Sequence, residues 1–276
     1  MIVLPRSVAR CCRAVFKRLA SSRTTRGRPL MVGLIGGPEG LRLRAATGDA
    51  AAEFLHPGTA EECRLSLPLD ALAECEGAGG DVVLKPLGDT RVELTWQKAG
   101  KEQRREYAAG AVPDFPACPG GGAVNGPELL AAMDRGSETA AQEGTRFALH
   151  RVLLRGRKGE VIGTDGKQLL IEGGFTFPFQ GDLLVPRVSV FGAAELPREG
   201  EVLVAQSSPH VLFRAGPWTF ALKVAEGERY PPVDAVVPRA AAEATRWRLG
   251  PGEAGLMVRT LAALPGGNED HAPVTV

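Results

Sequence analysis

The structural signals in this chain run through one order twice, and that repetition limits the folds it can adopt. A helix, two alternating strands, a short helix and a further run of strands recur at a spacing of roughly 115–120 residues, a domain-sized internal repeat. The first pass runs from a helix over Pro5–Ala20 through "PLMVGLI" and "LRLRAATGD" to a helix over Pro68–Glu76, then strands to "YAAGAVPDFPACP". The second runs from a helix over Pro127–Ala140 through "ALHRVLL" and "GEVIGTDG" to a helix over Pro186–Ala194, then strands to "LKVAEGERYPPVDAVVP". Each pass closes on an aromatic followed by proline, Phe115–Pro116 and Tyr230–Pro231, and "CPGGGAVNGP" between them reads as a Gly/Pro-rich linker. A third pass opens in "TRWRLG", with a helix carrying Leu256, Val258, Leu261 and Leu264 and the start of a strand. That strand would be left unpaired, so the chain is expected to be either a fragment, the favoured reading, or a protein that has lost most of a domain.

Composition narrows the class. The 276 residues are 44% hydrophobic and 24% charged, values of a soluble globular chain. No apolar run approaches the ~18 residues that a bilayer span requires. The cysteines (Cys11, Cys12, Cys63, Cys75 and Cys118) form no CxxC pair, which argues against a metal knuckle or a disulfide framework and fits a reducing cytoplasm. His56, His150, His210 and His271 lack the spacing of a zinc site, so no metal and no cofactor are expected.

Net charge is only +1, but it is unevenly spread. Arg6, Arg10, Arg13, Lys17, Arg18, Arg23, Arg26 and Arg28 precede the first acid, Glu39, which points to an anionic partner. At 100° per residue, Val8, Cys12, Val15 and Leu19 share one stripe, and Arg6, Arg10, Arg13 and Lys17 share the opposite one. An organelle transit peptide could show the same pattern. The following "PLMVGLI", a buried strand in need of an apolar partner, favours a working helix.

The stretch "GTDGKQLLIEGG" raises three chemistries. A phosphate loop would require Gly at 161 and Ser or Thr at 168, where Val161 and Gln168 stand. A calcium loop would require acids at alternating positions, and Asp165 has none. Asp-Gly between two apolar runs is instead a hairpin signal, with positive φ available at both turn positions. No GxSxG or paired-carboxylate spacing supports catalysis.

Four ordered stretches, "TRFALHRVLL", "GTDGKQLLI", "LLVPRVSV" and "LKVAEGERYPPVDAVVP", together resemble the bacterial sliding clamp, the beta subunit of DNA polymerase III. The family's turn usually reads T-D-G-H-R-L, and Thr164, Asp165, Gly166 and Leu169 match it. The resemblance covers nearly the whole chain, although the first pass matches mainly in pattern and in "FPACP". It implies an α+β DNA clamp fold of repeated domains, each with two inward-facing helices and two antiparallel sheets. Clamp domains would occupy 1–119 and 125–238, with the start of a truncated third over 245–276. Two full-length chains would close a ring around duplex DNA.

The resemblance also implies sites. DNA, held without sequence preference, would meet Arg6, Arg10, Arg13 and Lys17 on the helix, Arg23, Arg26 and Arg28 on the following loop, and Arg146. Four helix cations each neutralising one phosphate give a slope of log K against log[salt] of about −3.6. Glu76 stands where the family often has Arg. A pocket for short peptides of the polymerase, the clamp loader and other replication proteins would involve Leu149, Thr164, Gly166, Leu169, Pro231 and Val236. Lys167 and Gln168 replace the family's usual His and Arg there, and one rim would belong to the third domain. The implied function is a non-catalytic, cytoplasmic processivity factor without a membrane role. The alternatives are a diverged clamp-like paralogue or phage protein, and a small-molecule enzyme on a β-rich fold.

Overall fold

The computed structural model describes residues 1–21, 29–77, 80–144, 147–237 and 248–260. Backbone contacts divide it into two compact units, Met1–Pro231 and Pro232–Val276. In the first unit, β1 (Ile2–Pro5) runs directly into α1 (Arg6–Ser21). Then follow β2 (Met31–Gly37), β3 (Gly40–Ala46), β4 (Ala50–Pro57) and β5 (Cys63–Pro68). A 3-10 turn at Leu69–Ala71 leads into α2 (Leu72–Cys75), and β6 (Asp81–Leu87), β7 (Arg91–Lys98) and β8 (Lys101–Ala108) complete the pass.

The second pass repeats that order with β9 (Ala123–Asn125), α3 (Glu128–Thr139), β10 (Arg151–Arg155), β11 (Glu160–Thr164), β12 (Leu169–Gly173) and β13 (Asp182–Pro186). A 3-10 turn at Ser189–Gly192 precedes β14 (Val202–Ser207), β15 (His210–Ala215) and β16 (Trp218–Lys223). In the second unit a 3-10 turn covers Val233–Ala235, and α4 spans Pro251–Thr260. Leu256 and Val258 fall on α4 as the spacing suggests, while Leu261 and Leu264 lie outside the described residues.

Among the described residues all pairings are antiparallel, and they build three sheets. The order β1-β6-β7-β8 closes one side, β12-β11-β10-β13 the other, and β5-β2-β3-β4-β16-β15-β14-β9 runs between them. Each half gives four strands to the central sheet, and β4 meets β16 from Trp218↔Phe54 to Leu222↔Ala50.

Side chains alternate across this sheet as the pleat requires. Phe213, Phe220 and Leu222 enter the main core beneath the helices, while Leu212 and Ala221 point to the opposite face. Over the core face the helical elements stand in a row: α2 packs on α1, α1 on the 189–192 turn, and that turn on α3. Val8, Cys12, Val15 and Leu19 are all buried, as the helical wheel requires. Trp218 sits at the seam, with ring centroids 4.8 Å from Phe54, 5.9 Å from Phe16 and 5.8 Å from Phe220.

Over the opposite face runs a strap, residues 109–118. Ser66 anchors it, its Oγ donating to the Gly110 carbonyl at 2.6 Å and accepting the Gly110 N–H at 2.8 Å. Gly33 lets it approach, since a Cβ there would stand 2.6 Å from Val112 Cγ1.

Four elements differ from the sequence reading. The linker "CPGGGAVNGP" contains β9, which pairs with β14 from Val202↔Asn125 to Val204↔Ala123. Ile2–Pro5 forms β1 against β6, too short a run to announce itself beside a helix start. The expected helix over Pro186–Ala194 shortens to a 3-10 turn, because the backbone is extended at Val188 before it and at Ala193 after it. No strand covers 248–250 of "TRWRLG", and 245–247 lie outside the described residues.

Truncating Trp218 to Ala removes the ring joining α1, β4 and β16. It is expected to lower the unfolding free energy by about 3–5 kcal/mol, read from urea denaturation followed by circular dichroism.

Candidate nucleic-acid interface and partner groove

The cationic stripe divides once it is folded. Arg10 and Lys17 are exposed, and Arg13 is half-buried with Nη1 donating to Glu76 Oε1 at 3.1 Å. Arg6 instead turns inward at 7% exposure. Its Nη1 donates to the Glu76 carbonyl at 2.7 Å and its Nη2 to the Gln97 carbonyl at 3.2 Å, tying α1 to the end of α2 and to β7. The helical wheel could not separate Arg6 from the others, because it carries no information about the neighbouring strands. Arg23, Arg26, Arg28 and Arg146 lie outside the described residues.

Glu76, where the resemblance leads one to expect Arg, answers Arg13 with its carboxylate and Arg6 with its carbonyl. Arg18 is exposed, and its Nη1 donates to the Ser189 carbonyl at 3.3 Å while its own carbonyl accepts from Ser189 Oγ at 3.1 Å.

The second-half counterpart of α1 carries the opposite charge. α3 exposes Glu128, Arg135 and Glu138, and Arg135 is paired in two hydrogen bonds with Glu172 of β12 at 2.5 Å each. Asp134 sits against Gly192, where burial, and secondarily Glu138, push its carboxyl above the usual range against the pull of Arg18 and Arg198. Positive potential in the helical row is therefore concentrated on α1.

The turn after β11 is a four-residue loop, 165–168, closed by the Thr164↔Leu169 pair. It is not the two-residue turn that Asp-Gly suggests, since only Gly166 adopts positive φ, at +91°. Asp165 organises it as an Asx-type cap: Oδ1 accepts the Lys167 and Gln168 N–H groups at 2.8 Å each. The buried Thr164 Oγ1 donates to the Gln168 carbonyl at 2.6 Å and accepts the Gly166 N–H at 3.1 Å. The loop is held by its own side chains, which leaves Lys167 and Gln168 exposed at its tip.

Leu149 approaches this loop from one side, with Cδ1 3.7 Å from the position of a Cβ on Gly166. The Ala148 N–H donates to the Arg229 carbonyl at 2.9 Å, which lays the segment ending in Tyr230–Pro231 alongside. Tyr230 was visible in the sequence only as the aromatic closing a repeat. Its hydroxyl donates to the Ile162 carbonyl at 3.4 Å, and burial pushes its phenol well up. Leu149, Thr164, Gly166, Lys167, Gln168, Leu169 and Pro231 thus share one region, with Leu149, Leu169 and Pro231 half-buried. Val236 belongs to the second unit, directly after its 3-10 turn.

Among the described residues no group of three or more His, Cys, Asp or Glu is placed to hold a metal ion, and no helix is long and apolar enough to cross a membrane. Burial pushes the Cys75 thiol up to about 12 and that of Cys12 well above its usual value, so neither is a thiolate at neutral pH.

Two passes of one motif, joined through a central sheet with a row of helices on one face, define the DNA sliding-clamp fold. Solved beta-clamp structures superpose on it. The DNA polymerase III subunit beta of Pseudomonas aeruginosa matches at TM-score 0.64 and 21% identity, covering 85% of this chain and 68% of that one. The sliding clamp of Bacillus subtilis matches at TM-score 0.68 and 17% identity, covering 87% and 68%. The Helicobacter pylori beta clamp bound to a DNA ligase peptide matches at 0.69 and 16%, covering 96% and 76%. The chain therefore spans between two thirds and about three quarters of these proteins. No family model and no curated protein matches its sequence.

The loop makes a local prediction. The N–H groups of Gln168 and then Lys167 hold the Asp165 carboxyl below its ordinary value of 3.8. A lowered folded value gives stability that is present above the unfolded pKa and lost as pH falls through the folded one. In an NMR titration the Asp165 carboxyl carbon should titrate below an ordinary aspartate, and the Lys167 and Gln168 amides should shift with it. A midpoint at or above 3.8 rejects this loop geometry.

Proposed function

We propose that the chain is a bacterial-type sliding clamp that encircles duplex DNA without reading its sequence and tethers the replicative polymerase and other replication or repair proteins. The observation that carries this reading is the helical row over one continuous sheet, with solvent-facing cations on α1, in a fold shared with beta clamps. Residues 1–119 and 125–238 are two clamp domains on this reading, and 245–276 open a third. On this reading the protein is a cytoplasmic homodimer that acts by topology rather than by catalysis, raising the effective concentration of a polymerase at the primer end.

The region around Leu149, Thr164–Leu169 and Pro231 is the partner groove. A few apolar anchors would dominate its affinity, as in other shallow sites. The peptide-bound Helicobacter pylori clamp supports a peptide as the occupant. Lys167 and Gln168 at the tip favour a second reading, a diverged clamp with its own choice of partners.

Retention on DNA decides between these readings. Loaded by a bacterial clamp loader, the protein should stay on nicked circles and leave linear DNA. A protein that never distinguishes the two is no clamp for the main polymerase. With Arg6 buried and Arg13 held by Glu76, Arg10 and Lys17 remain of the stripe, and two phosphate contacts give a salt slope of about −1.8. The double variant Arg10→Glu, Lys17→Glu should lose retention with its circular dichroism spectrum unchanged.

In the groove, Leu169→Ala with Pro231→Ala should abolish binding of a polymerase-tail peptide in fluorescence polarisation. Unchanged affinity rejects the groove assignment.

A further inference from the structure

The two passes place equivalent turns at equivalent points. β3 and β4 pair as far as Ala46↔Ala51, with 47–50 between that pair and Ala50 already the first residue of β4. β11 and β12 pair as far as Thr164↔Leu169 and leave 165–168 as a loop. Ala46 is thereby the counterpart of Thr164, Asp49 of Lys167 and Ala51 of Leu169, and Phe115–Pro116 stands where the second half has Tyr230–Pro231.

Around the first turn the structure opens a groove of about 310 Å³, within the size range of small-ligand sites. Ala46 and Ala51 line it together with Phe115 and Pro116 of the strap, and His210 closes it from the second half. Of its lining, Ala51 belongs to a small apolar cluster with the buried Ala205, Leu212 and Ala221, against which Ala46 and Phe115 pack.

Two differences from the second turn set its preference. Alanines replace Thr164, Gln168 and Leu169, which leaves room for a large side chain. Its lining carries the carboxylates of Asp49 and Asp114, and the cation over it, Arg44 at 5.6 Å from the Phe115 ring centroid, is paired with Glu53, whereas the second turn carries Lys167. Asp49 is 3.6 Å from Arg151, and Asp114 is exposed on the rim. Burial, and then Lys223, push His210 toward its neutral form, so it does not cancel that charge.

We propose that this groove, at the junction of the two halves, is a second peptide-docking site, taking a segment with a large apolar side chain next to a Lys or Arg. The proposal rests on the partner-groove reading for its class of ligand, but it involves separate residues.

The test uses the full chain and a fluorescein-labelled hexapeptide with a Leu-Phe anchor flanked by lysines, one anchor ring replaced by a benzophenone photo-crosslinker. Crosslinks should map to 46–51 or 114–116. Asp114→Lys should weaken the peptide by about tenfold, as reversal of one nearby surface charge does, and should favour a peptide with glutamates in place of the lysines. Leu169→Ala should leave it unchanged. Crosslinks confined to 164–169, an Asp114→Lys variant with unaltered affinity, or no binding overturns the proposal. The polymerase-tail peptide reports on the Leu169 groove alone, so failure of either reading is seen separately.

Discussion

Backbone pairing between β4 and β16 is the interaction on which the rest of this structure depends. Five residue pairs, Trp218↔Phe54 to Leu222↔Ala50, turn two four-stranded halves into one sheet. The pleat then assigns every neighbouring side chain to a face. Phe220 and Leu222 fall toward the helices, while Ala221 falls toward the strap beside Ala51. A slip of one residue would exchange these sets, placing large side chains under the strap and alanines in the core. Trp218 guards the register from the core side, where its ring meets residues of α1 and β4.

The helical row shows how the same motif takes different chemistry in its two copies. α1 keeps cations on its outer surface, whereas α3 presents acids and commits Arg135 to Glu172. Arg6 and Arg13 both end on Glu76, so part of the apparent basic stripe holds α1 against α2. Net charge along a helix therefore overstates what reaches solvent. For an anionic partner the difference is substantial, because salt-dependent affinity follows the number of phosphates neutralised, not the number of basic residues in the sequence.

Much of this architecture is legible in the sequence because its signals are periodic. The buried stripe of α1 follows from Val8, Cys12, Val15 and Leu19, and the repeat from the order of helices, strands and aromatic-Pro pairs. The elements that escaped reading are defined by partners distant in sequence. β1 and β9 are short edge segments whose strand character comes from β6 and β14. Arg6 is buried because carbonyls 70 and 91 residues away receive its guanidinium. At the candidate groove, Thr164, Gly166 and Leu169 were readable as a motif, but the lengthening of the turn by the Asp165 cap was not. Tyr230 gave only the signal of an aromatic before proline, twice, at matching points.

The joint between β4 and β16 has a geometric consequence. It unites the third strand of one half's four-stranded set with the last strand of the other's, so its two sides are unlike edges. Joints between unlike edges are directional: each further copy added through the same contact is rotated by the same amount in the same sense. Assemblies built this way are limited by arithmetic, not affinity. They close when the rotation per joint divides a full circle, and spiral when it does not. In an array that repeated this joint, the twist of one five-residue ladder would set both pitch and curvature.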